Sequence, residues 1–148
     1  MPIVPNGVST VGNVFAMLTG VYDQTAQVAS TSGATLSASL PQTGFYQVSG
    51  YIKKTTAATT SSTLGPLTLT YTDGGDSTVL TPTLAFLTSA GAIATTNATN
   101  STTVTGMNSI VPFSFYGKAG TSVTFSLTYA SSGAVPMAYE VHLRLELS

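Results

Sequence analysis

His142 is the only histidine in the chain, and Glu140 and Arg144 stand two residues to either side of it. On a strand, that spacing sends all three side chains to one face. Glu140 beside His142 is the minimum of a proton relay. The same row also reads as a solvated or intersubunit face stitched by cross-strand pairs. A serine nucleophile needs a base and an orienting acid, and no G-x-S-x-G elbow is present to place one. Glycoside hydrolysis needs two carboxylates held across a sugar, and none of the five acidic residues forms such a pair in the sequence. One histidine and no cysteine fall short of the several ligands a zinc site draws on. Asp73 and Asp76, across Gly74 and Gly75, could offer oxygens to calcium or simply cap a hairpin turn; their spacing is not that of an EF-hand loop. The expectation is a protein that is not an enzyme, with no catalytic residue, no metal site and no cofactor.

The elements that would carry these residues are strands. Met137 to Leu147 alternates, with Tyr139, Val141, Leu143, Leu145 and Leu147 opposite Glu140, His142, Arg144 and Glu146. Thr121 to Tyr129 does the same, with Val123, Phe125, Leu127 and Tyr129 on the apolar face. In Phe45 to Ile52 the core face is Tyr46, Val48, Gly50 and Ile52, and Gly50 marks a bulge or a tight approach. Leu36, Ala38 and Leu40 alternate before a turn at 41–44, and Ile110 to Tyr116 is a strand interrupted by Pro112. Leu67 to Tyr71 precedes the Asp73–Asp76 turn, and Ser77 to Thr88 continues extended, with Pro82 at an edge or bulge. The segment from Val14 to Val28 admits a short helix, but its β-branched residues and Gly20 favour a strand; 55–63 reads as a loop, and 89–105 as a long exposed loop or an edge pair. Two glycosylation-type triplets, at Asn97 and Asn100, fall in that last stretch. About eight short strands with Gly/Pro turns and no αβ rhythm predict an all-β antiparallel sandwich spanning 13–148; a jelly-roll type fits best, and strand count alone leaves an immunoglobulin-like sandwich open. Residues 1–12, with Pro2, Pro5, Gly7 and Gly12, predict an extended N-terminal arm.

Composition narrows the function. Only 6% of the 148 residues are Asp, Glu, Lys or Arg, against about a quarter in ordinary soluble proteins. A surface of Ser, Thr, Asn and Gly repels copies of itself weakly and suits crowded assembly. Four basic residues and a net charge of -1 are poor material for a phosphate backbone, so nucleic acid is not an expected partner. No apolar run approaches the roughly 20 residues of a membrane-spanning helix, and no membrane partner is expected.

The stretches SLPQTGFYQVSGYI, DGGDSTVLTP and YASSGAVPMAYEVHLRLE resemble those of small bacteriophage structural proteins. The first is also similar, more loosely, to the Pro, Gly, Tyr and alternating-strand pattern of C1q/TNF-like jelly rolls. Together these segments cover about a third of the chain. The resemblance implies a homotrimeric jelly roll on the outer capsid surface of a virion, cementing the major capsid protein. It also implies aromatic residues of one sheet around the threefold axis, for which Tyr51, Tyr129 and Tyr139 are candidates. The arm, with Pro2, Ile3, Val4 and Pro5, would reach a neighbouring capsid subunit. The alternative is a tail or fibre module that binds a host-surface glycan.

Overall fold

The computed structural model describes residues 17–88, 91, 93–94 and 106–148. The arm residues Pro2, Ile3, Val4 and Pro5 and the triplets at Asn97 and Asn100 lie outside them.

Eleven strands make the described fold: β1 (Met17–Gln27), β2 (Thr31–Ser37), β3 (Gly44–Thr56), β4 (Ser61–Thr72), β5 (Val79–Leu80), β6 (Phe86–Leu87), β7 (Ile93–Ala94), β8 (Met107–Ile110), β9 (Phe113–Gly117), β10 (Val123–Ser132) and β11 (Ala138–Leu147). They form two antiparallel sheets. The larger runs β1-β11-β3-β8-β6-β7, with β9 also paired to β3, and the smaller runs β2-β10-β4-β5. The chain folds inward from both ends: β1 meets β11, β2 meets β10, β3 meets β8 and β9, and β4 meets β5. From β1 to β4 the strands alternate between the two sheets, and β9, β10 and β11 do so again at the other end, which is jelly-roll connectivity.

Period-2 alternation decides what is buried. Tyr46, Val48 and Ile52 of β3, Val123, Phe125 and Leu127 of β10, and Tyr139, Val141, Leu143 and Leu145 of β11 all point between the sheets and lose their solvent contact. Leu64, Leu67, Leu69 and Tyr71 of β4 join the β10 residues in the smaller sheet's layer, and Phe86, Ile110 and Phe115 complete the larger sheet's layer of the core. Full burial of each large apolar side chain contributes about 1.5–3 kcal/mol, which sets the register firmly, because a one-residue slip would turn the whole set to water.

Gly50 resolves as a tight approach rather than a bulge. The β3–β11 ladder keeps its register from Lys54↔Tyr139 to Tyr46↔Leu147 across it. A Cβ at Gly50 would intrude on the His142 carbonyl and come within 3.0 Å of Leu143 Cα.

Three segments differ from the sequence reading. The 77–88 segment is not one strand: β5 ends before Pro82, and β6 joins the other sheet after the chain crosses over, so Val79 and Leu80 are both exposed. Pro82 lies on the open edge beside β4, a place that suits a residue with no N–H; the chain stays there until the Leu84 amide bonds the Leu67 carbonyl, and it reaches the other sheet at Ala85, whose carbonyl accepts from Val111. Most of 55–63 is strand, since β3 runs to Thr56 and β4 begins at Ser61, with Ala58 buried between them. Threonine and serine suit a pleated surface as well as a loop, so composition does not separate the two. Finally, β2 stops at Ser37, leaving Ala38 exposed while Leu40 still reaches the core.

Candidate interaction surface

The outward face of the larger sheet gathers most of the chain's chemistry. Of the ten Asp, Glu, Lys, Arg and His residues in the sequence, six lie on the outward side of its strands: Asp23, Lys53, Glu140, His142, Arg144 and Glu146. Strand pairing aligns them in rows. Asp23 stands opposite His142, His142 opposite Tyr51, Tyr51 opposite Ser109, Ser109 opposite Leu87, and Leu87 opposite Ile93. The neighbouring row is Glu140, Lys53, Met107, and on the other side lies Val21, Arg144, Ser49.

The charged and polar groups on this face engage one another within the sheet. His142 Nδ1 meets the Asp23 carboxylate, and His142 Nε2 lies 3.8 Å from Glu140 Oε1. Lys53 Nζ reaches the same Glu140 oxygen at 3.3 Å, and Arg144 pairs with Glu146. The Tyr51 ring lies over the imidazole, with ring centres 4.7 Å apart. Exposed pairs of this kind contribute only about 0–1 kcal/mol each to folding. Their consequence is for the surface, since a face whose charges are already paired loses less when water leaves it. The relay reading of Glu140 and His142 thus meets a carboxylate shared with Lys53 and an imidazole tied to Asp23. Among the described residues, no group of three or more His, Cys, Asp or Glu is placed to hold a metal ion.

The same face also exposes carbon. Twelve large apolar side chains among the described residues stand substantially in solvent, and seven of them are here: Leu18, Val21, Phe45, Leu87, Ile93, Met107 and Tyr116. Phe45 and Tyr116 stand opposite each other with ring centres 5.0 Å apart. The outward face of the smaller sheet is of another kind. Its strands hold no Asp, Glu, Lys, Arg or His, and Thr35, Thr124 and Thr70 line up across it, with Ser126, Thr68 and Thr83 in the next row.

The three tyrosines named from the sequence do not share a surface. Tyr51 points outward, as its period-2 register requires. Tyr139 is wholly buried, and its hydroxyl donates to the Ala29 carbonyl at 2.7 Å and lies 3.0 Å from Thr31 Oγ1. Tyr129 packs against it and donates to the Met137 carbonyl at 2.8 Å. These two rings fix loop backbone to the core from inside, the use of an apolar body with one polar tip. In this structure Tyr139 exposes no surface for a second copy to touch; its place among Val141, Leu143 and Leu145 already puts it inward.

Lys53 and Lys54, adjacent in sequence, part to opposite faces. Lys54 is fully buried beside Tyr139, and desolvation pushes its ammonium below the ordinary lysine range. The alternation of β3, continued two residues past Ile52, carries that signal. Asp73 and Asp76 act as turn caps. Asp73 Oδ1 accepts from the amides of Gly75 at 2.7 Å and Asp76 at 3.3 Å, and Asp76 Oδ1 accepts from the Thr78 amide at 2.9 Å. That last bond holds the Asp76 carboxyl below its usual range. What sequence reasoning missed is Asp23 as the partner of His142, and the strip made by Leu87, Ile93 and Met107. Both depend on which strands become neighbours.

No protein-family model matches the chain, and no curated protein matches it at a significant level. Among solved structures, the chain has a slight likeness to a pentameric capsid protein isolated from metagenomic phage sequences. That match has 18% identity over 99% of this chain and 75% of the other, with a TM-score of 0.37. A second is to the carbohydrate-binding module CBM6cm-2 of Cellvibrio mixtus lichenase 5A, solved with cellotriose, at 15% identity over 89% and 90% of the two chains and a TM-score of 0.31. Likenesses of this size do not bear on what the chain does.

Proposed function

We propose that this chain is a non-enzymatic virion structural protein, a homotrimeric capsid-decoration protein that sits on the outer surface of a particle and bridges major capsid subunits. One observation carries the reading. The large-sheet face combines internally paired charges with seven exposed apolar side chains, the make-up of a surface that works by being covered. The resemblance of three sequence stretches to phage structural proteins supplies the virion context, and the charge-poor composition fits a crowded shell. Stabilisation would come from many modest contacts repeated over a lattice.

The test is to sediment particles from the source culture and measure, by quantitative mass spectrometry, the ratio of this chain to the major shell protein. A stoichiometric, high-copy signal is expected. Absence from the particle fraction would overturn the proposal. A second reading, a tail or fibre module that takes a glycan, draws on the exposed Phe45–Tyr116 pair, since open aromatic rings can stack on sugar. A few copies per particle, together with glycan binding lost in Tyr116→Ala, would favour it.

A further inference from the structure

The apolar side chains of the large-sheet face are not scattered. Apart from Phe45 and Tyr116, which pair with each other on β3 and β9, they fall in two strips, one at each side of the sheet, with the paired charges between them. On β1, at one edge, stand Leu18 and Val21, each 55% exposed. On β6, β7 and β8, at the other side, stand Leu87, Ile93 and Met107, at 45%, 69% and 52%. Between them, β11 and β3 present Glu140, His142, Arg144, Glu146, Tyr51 and Lys53, already engaged with one another or with Asp23.

This distribution discriminates between modes of association. A twofold contact would lay the face on itself about its middle, pressing the charged band into the centre of the interface, where desolvating ions is most costly. A head-to-tail contact instead sets the β1 strip of one copy against the β6–β8 strip of the next. Carbon then meets carbon, and the charged band stays toward the axis, hydrated. Repeated, such a heterologous contact closes a ring where its rotation divides a full turn evenly. Each such contact would cover five side chains that stand 45–69% exposed in the single chain.

We infer that the occupant of this face is a second copy of the same chain, docked head to tail, with Leu18 and Val21 of one copy packed on Leu87, Ile93 and Met107 of the next. The inference deepens the self-association part of the proposed function and is independent of the particle. Ring formation is read on the purified chain, and virion location on the sedimented particles, so each can fail alone.

The experiment is the solution mass of the purified chain by light scattering and sedimentation velocity, with each variant checked by thermal melting. Wild type is expected to run as a discrete closed oligomer of at least three 15.1-kDa chains. Val21→Glu and Ile93→Lys, each at an exposed position, should fall to monomer with unchanged melting of the domain, and the double variant carrying both should regain the oligomer through the new Glu–Lys contact. Thr35→Lys, on the hydroxyl face, should leave the mass unchanged. A monomeric or dimeric wild type would overturn the inference. So would single variants that keep the wild-type mass, or dissociation by Thr35→Lys. Should one single variant lower the melting temperature, Met107→Lys serves in its place. Dissociation by each single variant without recovery in the double would refute the head-to-tail pairing.

Discussion

A single methyl group at residue 50 tests the centre of the larger sheet. Gly50 has φ of +144°, where an L side chain is strained, and it faces β11 without a Cβ. An alanine Cβ would press on the His142 carbonyl and lie within 3.0 Å of its carbon and of Leu143 Cα. These are backbone atoms of a paired strand and cannot swing aside as a side-chain tip would. Backbone strain and overpacking of this kind each cost about 1–3 kcal/mol, so Gly50→Ala is expected to lose about 3 kcal/mol. For a domain of about 150 residues this lowers Tm by roughly 6–12 °C. Gly33→Ala is the control. Its φ is +58°, but nothing lies within 4 Å of an added Cβ. Only left-handed strain applies there, about 1–2 kcal/mol, and Tm should fall by no more than a few degrees. Paired thermal melts by circular dichroism read the difference. If Gly50→Ala melts no lower than Gly33→Ala, β3 and β11 do not approach as closely as their register requires, and the alignment of Tyr51 with His142 falls with it.

Three further outcomes follow from the same structure. Tyr139→Phe removes a buried hydroxyl that donates to Ala29, so it should cost about 1 kcal/mol and leave the solution mass unchanged; altered mass with unchanged melting would return Tyr139 to the subunit contact. Asp76 has its carboxyl held low by the Thr78 amide, so its contribution is present above the ordinary carboxylate range and is lost as pH falls through the lowered value. The Tm gap between wild type and Asp76→Asn should therefore close on acidification, and a gap constant with pH would refute this. Lys54 is held below its ordinary value of 10.5 by burial, so in the window beneath that value the unfolded chain binds more protons than the folded one. Wild type should gain stability relative to Lys54→Met as pH rises through that window, with the buried tyrosines common to both; parallel pH profiles would count against a buried amine.

How much of this was legible in the sequence depended on whether the information was local. The faces of β3, β10 and β11 could be read because strict alternation states which residues are inside, and Val48, Phe125 and Leu143 are where that pattern puts them. The Asp73–Asp76 turn could be read because Asp and Gly cap a turn within a few residues. Strand ends were not legible around Thr56 and Ser61, since threonine-rich sequence is compatible with strand and loop alike. The contact surface was legible only by halves. Glu140, His142 and Arg144 share a face by spacing alone, but Asp23 joins them from more than a hundred residues away through the β1–β11 pairing. Leu87, Ile93 and Met107 come from three short strands whose sequences give no period to read. The tyrosines show the opposite error, in which a residue type associated with interfaces outweighed a register that already placed Tyr139 inward.

The two outward faces also account for how so few charges can suffice. In the isolated chain the outward face of the large sheet leaves seven apolar side chains in water, and only nine formal charges are available to keep copies apart. Such a chain is poorly protected against indiscriminate association. A head-to-tail ring removes five of those side chains, Leu18, Val21, Leu87, Ile93 and Met107, from water and turns the paired charges inward. What remains outward on each copy is the smaller sheet, where Thr35, Thr68, Thr70, Thr124 and Ser126 can bond to water without carrying charge. Weak repulsion between copies is then no defect. It permits close packing within the ring, while the threonine and serine rows carry no ion to desolvate and leave large exposed apolar side chains only at the β5 edge, Val79 and Leu80, which limits further growth beyond it.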